Sequence, residues 1–248
     1  MFIDTHCHLS IEDYDDIDKV VKEDIEAGVK KLIVSACTKN TFEEALALAK
    51  KYDLIYVTLG FHPSEVDTTG ADLELLEELL KTDKVVGVGE IGLDYHYGKD
   101  DIDMQKELFE KQLIMAENLN LPVVIHSRDA VNDTIETLKK HNVKGVIHCF
   151  SGSVETADIY IRLGYKLGIG GVVTFKNSNL YKVVEHVGLD NIVLETDSPY
   201  LAPEPFRGKQ NSSKYIPVIA TKIADILNVS LSEVEDKTTM TASNLFDL

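Results

Sequence analysis

Eight short apolar, β-rich runs recur along the chain, near 2–8, 31–36, 54–60, 85–90, 122–127, 145–150, 166–173 and 191–196, with segments of helical period between most of them. A strand repeats its faces every two residues and a helix every 3.6, so the alternation reads as strand followed by helix, repeatedly. The helical stripes are Ile17, Val20, Val21, Ile25 ahead of Gly28; Phe42, Ala45, Leu46, Ala49; Leu73, Leu76, Leu80; Val131, Ile135, Leu138; and Ile216, Ile219, Ile223, Ile226. Thr41 with Glu44 three residues on predicts a capping box, Gly28 a helix stop, and Ser230 the start of a last helix. Most runs are apolar on both faces, as strands covered by helices on a parallel sheet must be. An open dinucleotide-binding sheet would follow its first strand with Gly-x-Gly-x-x-Gly; here stands His6-Cys7-His8. The pattern therefore predicts an α/β fold, a closed parallel (β/α)8 TIM barrel, with 1–248 as a single domain and no linker.

In such a barrel the βα loops converge at the C-terminal ends of the strands. Those places carry His6 and His8 on the first strand, Glu90 on the fourth, His126 on the fifth, His148 on the sixth and Asp197 on the eighth. Strand pleating puts Asp4, His6 and His8 on one face, so two imidazoles can pinch one cation, although an isolated His-x-His is as readily a pair of core or surface histidines. Glu90 follows Val85-Val86-Gly87-Val88-Gly89, and a carboxylate buried there costs several kcal/mol unless paired. Together the six donors predict a site for two divalent cations with positions open to water or substrate. His62, Asp94 and His96 read either as groups that orient substrate or protonate a leaving oxygen, or as hydrogen-bonding loop residues. Glu195 and Asp4 are candidates to orient a histidine, Glu195 also to hold Arg128. His141 and His186 fall at helix ends and read as structural. Tyr95, Tyr97 and Phe150 could stack a base, but aromatic residues mostly fill core.

Charge limits the partners. With 25 basic and 42 acidic residues the net charge is −17, which excludes a broad electrostatic grip on nucleic acid, so a polyanion must be held locally. Arg128, and Arg207 with Lys209 in a Pro- and Gly-punctuated loop, are the candidate phosphate contacts; the competing reading is surface charge. The acids of helix-like segments such as 12–26 read as a solvated face. No apolar stretch reaches the roughly 18 residues that span a bilayer, and no basic leader precedes His6. Cys7, Cys37 and Cys149 are odd in number and lie in or at the end of apolar runs, which argues against disulfides. These features predict a soluble cytoplasmic protein with no membrane partner and no evident obligate protein partner.

Over its whole length the chain resembles the TatD-type metal-dependent hydrolases of the amidohydrolase-like superfamily. The residues that carry the resemblance are Asp4-Thr5-His6-Cys7-His8, Gly60-Phe61-His62-Pro63, Gly89-Glu90-Ile91-Gly92-Leu93-Asp94-Tyr95, Pro122 to Arg128, His148-Cys149-Phe150-Ser151-Gly152, and Glu195-Thr196-Asp197-Ser198-Pro199 running on to Lys209. The resemblance implies a TIM barrel that hydrolyses phosphodiesters, DNA being the usual substrate class, by a metal-activated water. It implies that Glu90 bridges two metals, one held with His6, His8 and Asp197, the other with His126 and His148, and that Asp197 accepts the proton. Zinc, manganese, nickel, iron and, more weakly, magnesium suit such ligands. The sequence departs from the family pattern at Gln210-Asn211-Ser212-Ser213, which puts substrate contacts in question. The expected activity is a deoxyribonuclease acting on strand ends or single strands. The alternatives are a metal-dependent hydrolase of another ester or amide, such as an aminoacyl ester or lactone, and a non-catalytic metal-binding scaffold.

Overall fold

In the computed structural model, which describes residues 1–96, 98 and 100–248, eight parallel strands follow one another in chain order in a single sheet. They are β1 (Phe2–Cys7), β2 (Val29–Ala36), β3 (Ile55–Leu59), β4 (Val85–Asp94), β5 (Val123–Arg128), β6 (Gly145–Ile147), β7 (Tyr165–Ile169) and β8 (Ile192–Leu194). The helices are α1 (Ile17–Glu26), α2 (Lys39–Lys51), α3 (Gly70–Leu79), α4 (Ile102–Leu119), α5 (Val131–Leu138), α6 (Val154–Arg162), α7 (Leu180–Val187), α8 (Ile216–Leu227) and α9 (Leu231–Phe246). This is the expected (β/α)8 architecture. Among the described residues no helix is long and apolar enough to cross a membrane.

Local chemistry sets the helix starts. Asp16 Oδ1 accepts the Lys19 amide at 3.0 Å, Ser153 Oγ the Thr156 amide at 3.3 Å, and Ser230 Oγ the Glu233 amide at 3.1 Å, each satisfying a first-turn N–H that has no partner within its helix. Gly28 ends α1 as expected, its amide bonded to the Ile25 carbonyl. The capping box of α2 is shifted by one turn: Thr38 is the cap, and Thr41, expected there, sits at the third helical position, accepting the Thr38 amide at 3.1 Å.

Four helices, α4, α6, α7 and α9, have no stripe in the sequence reading, α9 being marked only by its start at Ser230. The reason is clearest in α4, where two buried positions are glutamines. Gln112 accepts the Phe61 amide at 2.7 Å and donates to its carbonyl at 3.0 Å; Gln105 brackets the Asp94 backbone in the same way, at 2.9 Å each. Both use core positions to peg backbone, the loop beyond β3 and the last residue of β4, which erases the apolar period. Strand ends also differ from expectation. β4 runs on to Asp94, 170–173 is mostly a 3-10 turn (Gly171–Thr174), and β6 and β8 stop before His148 and Asp197, which therefore sit on loops.

The β8–β1 seam is closed by a buried carboxylate more than by a strand ladder. Asp4 Oδ1 accepts the amides of His6 (3.2 Å) and Thr196 (3.0 Å), and Oδ2 the hydroxyls of Thr196 and Ser213 (2.6 Å each). The Asp197 amide donates to the His6 carbonyl at 3.0 Å. Asp4 thus orients backbone, not the histidine ring expected of it. Burial, partly offset by the Ser213 and Thr196 hydrogen bonds, pushes its pKa up to about 7.

Candidate metal centre

The six expected donors meet at the C-terminal mouth. Glu90 is buried at a register shift between β4 and β5, where Gly89 lets the strands approach: a Cβ there would stand 2.6 Å from Val124 Cβ. Its two oxygens face two different sets of imidazoles. Oε2 lies 3.4 Å from His6 Nε2 and 4.0 Å from His8 Nε2; Oε1 lies 2.6 Å from His126 Nδ1 and 3.6 Å from His148 Nε2. Asp197, at φ 54° in the left-handed region that Asp tolerates better than most residues, turns Oδ1 to within 3.6 Å of His6 Nε2, 3.5 Å of His8 Nε2 and 3.9 Å of His148 Nε2.

These distances fit cations. Ligands about 2.1 Å from a tetrahedral centre lie about 3.4 Å from each other. His6 Nε2 and His8 Nε2 face one another at 3.3 Å, a pairing in which at most one nitrogen can donate a proton but both can ligate. His8 Nδ1 lies 3.1 Å from the Ser35 carbonyl, which fixes its proton there and frees Nε2. His148 Nδ1 is 3.3 Å from Glu195 Oε1, which also accepts the Cys149 amide at 2.6 Å. Gly168 makes room for that carboxylate, since a Cβ would sit 2.0 Å from Glu195 Oε2. Glu195 thus adjoins a histidine, one of its two expected partners.

Electrostatics say the same. Burial alone would raise the Glu90 pKa, but His148, His126 and His6 hold it well below the ordinary range. Burial and the neighbouring His148 push His6 well down, leaving a neutral, ligand-ready ring. Burial opposes charge on His126 and His148 too, yet hydrogen bonds to Asp94 and Glu90 carry His126 up to about 10, and Glu195 with Glu90 carries His148 up to about 9. Protons on these rings supply the positive charge that the buried carboxylates require in the absence of a cation.

The remaining candidates divide. Asp94 Oδ2 lies 3.1 Å from His126 Nε2, and the His62 ring centroid 4.6 Å from that of His126, so both belong to the mouth. Arg128 lines the same cleft, of about 830 Å³, together with His62, Cys37 and Tyr200. His96 is exposed, with Nδ1 3.0 Å from Asp129. Arg207 lies over the Phe175 ring at 4.5 Å and lines a neighbouring cavity; Lys209 lies 5.9 Å from the centre of the Phe206 ring. His141 and His186 pair with Glu117 and Asp158, as structural residues do. Phe150 is core, packed against Tyr160, and Tyr95 donates to Asp133 at 2.8 Å; Tyr97 lies outside the described residues. The unusual segment 210–213 braces the loop rather than the cleft: Asn211 Nδ2 donates to the Thr196 and Tyr200 carbonyls, and Ser212 to Asp24. Sequence reasoning missed Ser35, Cys37, whose Sγ is 3.8 Å from Glu90 Oε2, and Tyr200, because a serine, a cysteine and a tyrosine near strand ends carry no signal of their own.

Comparison with known proteins agrees with this geometry. Residues 3–247 match the family model for TatD-related DNases. The chain is 40% identical to YabD of Bacillus subtilis, described as an uncharacterised metal-dependent hydrolase, over 99% of both chains. It is 35% identical to YcfH of Escherichia coli, described in the same words, over 99% of this chain and 96% of that one. The crystal structure of YjjV, a TatD homologue of Escherichia coli, superposes with a TM-score of 0.93 at 33% identity, covering 100% of this chain and 98% of that one. Such likeness from end to end, on a barrel whose mouth gathers these imidazoles and carboxylates, means that the chain belongs to the TatD-related DNase family of metal-dependent hydrolases.

Proposed function

We propose that the protein is a phosphodiesterase, a deoxyribonuclease that removes nucleotides from strand ends or cuts single strands in the reducing cytoplasm, with one catalytic domain spanning 1–248. The observation that carries this reading is Glu90, whose two carboxylate oxygens each address a separate pair of imidazoles. His6, His8, Glu90 and Asp197 would hold one divalent cation and Glu90, His126 and His148 a second. When bound, the two cations supply Lewis-acid charge that acidifies water and stabilises phosphoryl oxygens.

The chain's own groups do the rest. Asp197, a carboxylate at the open side of the cluster, accepts the proton of the water that attacks phosphorus in line. Arg128 reaches the cleft as a planar donor suited to a non-bridging phosphate oxygen. Burial lowers the His62 pKa to about 4, so near neutral pH its ring is uncharged and orients substrate rather than protonating the leaving oxygen. The free thiols of Cys7, Cys37 and Cys149 suit a reducing compartment.

The test is hydrolysis by chelator-stripped protein resupplied with manganese, magnesium or zinc and offered single-stranded DNA, double-stranded DNA, RNA and an aminoacyl ester. Metal-restored cleavage of single-stranded DNA is expected. Fast ester cleavage with no turnover of any nucleic acid would reassign the site to carboxylic esters.

A further inference from the structure

The cleft over β1 and β2 is walled by Glu12, Asp13 and Glu44, carboxylates that repel a phosphate chain. A second cavity, of about 560 Å³ and with no lining residue in common with the cleft, lies among the loops that leave β6, β7 and β8. Its volume is within the roughly 300–1,000 Å³ of small-ligand pockets. Two of its walls continue from metal-centre residues: Ser151 follows His148 by three positions, and Arg207 follows Asp197 by ten. Three residues of extended chain reach at most about 11 Å, so the cavity begins one short step from the mouth.

The cavity is built rather than incidental. The Glu204 amide donates to Thr174 Oγ1 at 2.9 Å, tying the β8 loop to the β7 loop. Arg207 Cζ lies over the Phe175 ring, 4.5 Å from its centre, a cation–aromatic contact that holds the guanidinium at the cavity wall. Lys176 lines the same wall, and among the described residues neither cation makes an ion pair. Arg207 and Lys176 against Glu204 leave a net single positive charge, which matches one phosphate rather than a tract.

We propose that this cavity is a subsite for the phosphate next to the scissile one in a single-stranded nucleic acid, an assignment that rests on the phosphodiesterase reading above. Arg207, braced by Phe175, and Lys176 meet the phosphate charge, while Ser151 and Asn179 offer hydrogen bonds to its sugar or base edge. The strand then leaves the mouth over β6–β8, and the acidic cleft over β1 and β2 receives only a terminal unit.

Fluorescence anisotropy of the full-length protein with a labelled, phosphorothioate-linked pentathymidylate tests this separately from turnover. Arg207→Ala is expected to weaken binding about tenfold, as loss of one charge-assisted contact does. It should also flatten the salt dependence by about 0.7 in log–log slope, the value for one phosphate of a single strand. Lys182→Ala, an exposed lysine of α7 outside the cavity, should change binding less than twofold. Neutral methylphosphonates at the linkages flanking the terminal one should weaken the wild-type protein and leave Arg207→Ala insensitive, with Arg207→Lys intermediate. Equal effects of Arg207→Ala and Lys182→Ala, equal methylphosphonate penalties in both proteins, or no binding by wild type would overturn the subsite. Binding that follows the expected pattern without cleavage under any metal would retain the cavity as a phosphate site for single strands and remove both the phosphodiesterase reading and the site's placement beside a scissile bond.

Discussion

The two ends of the barrel are made of opposite materials. Near the strand starts, Ile3, Ile33, Val124, Val146 and Val193 pack against Ala242 and Phe246 of α9, a dry apolar floor. At the mouth, His6, Glu90, His148 and Glu195 are just as buried but polar, and each needs a partner to offset its desolvation. Apolar burial is non-directional and stabilises the fold, whereas buried charge stabilises only with its complement in place. Folding and reactivity are thereby assigned to different ends of one sheet.

That separation can be broken at either end. Glu90→Gln keeps the shape and removes the charge shared by two donor sets. The expected result is a loss of at least about 10³-fold in kcat/KM, the order seen for removing one preorganised electrostatic group, with reduced cation content by elemental analysis. A variant that unfolds instead of falling silent would show that the mouth also carries the fold. Phe246→Ala at the floor should do the reverse, costing about 3–5 kcal/mol in denaturant unfolding while the folded fraction retains its kcat/KM.

A smaller effect sharpens the picture inside the mouth. Glu195 is fully buried, accepts the Cys149 amide and adjoins His148 Nδ1. Glu195→Gln retains an acceptor for that amide but loses the charge behind the imidazole. Cation affinity should fall about 10–100-fold by titration, with little change in thermal midpoint under chelator. An unchanged affinity would make Glu195 a loop brace and nothing more.

How far the sequence carried varies with how local each feature is. Strand order and the six mouth donors were legible, because period and position at strand ends are local properties that the barrel converts into convergence. Helix α4 was not, since Gln105 and Gln112 occupy core positions to hold distant backbone, and no period announces that. The roles of Asp4 and Asn211 were hidden for the same reason: the distant partners of Asp4 lie 192 and 209 positions away and those of the Asn211 amide 11 and 15, and only the fold brings them together. Arg207 and Lys209 read from loop composition as candidate phosphate contacts, but where each lies is set by the loop's path, which residue type does not encode.

The smallest expected effect concerns protons. In the metal-free chain His126 is held up to about 10 and His148 up to about 9, after burial has been outweighed by Asp94, Glu90 and Glu195, so both rings are charged near pH 7. A cation can take those nitrogens only by displacing the protons. Cation affinity should therefore rise with pH towards 9 to 10 and then level off, with about three protons released at neutral pH because His8 is also held well above its ordinary value, measured by calorimetry in buffers of different ionisation enthalpy. The stability linkage has the matching sign. Both folded-state values lie above the ordinary histidine value of about 6.5, so the stability they confer on metal-free protein is complete below that pH and is lost as pH rises through 9 to 10. Cation-loaded protein, in which each ring keeps a single N–H and is neutral, should not show this alkaline loss. If loaded and chelated protein lose stability in parallel between pH 7 and 10, the protons on His126 and His148 do not stand where cations bind, and the mouth is not the polar counterpart of the floor that its geometry makes it.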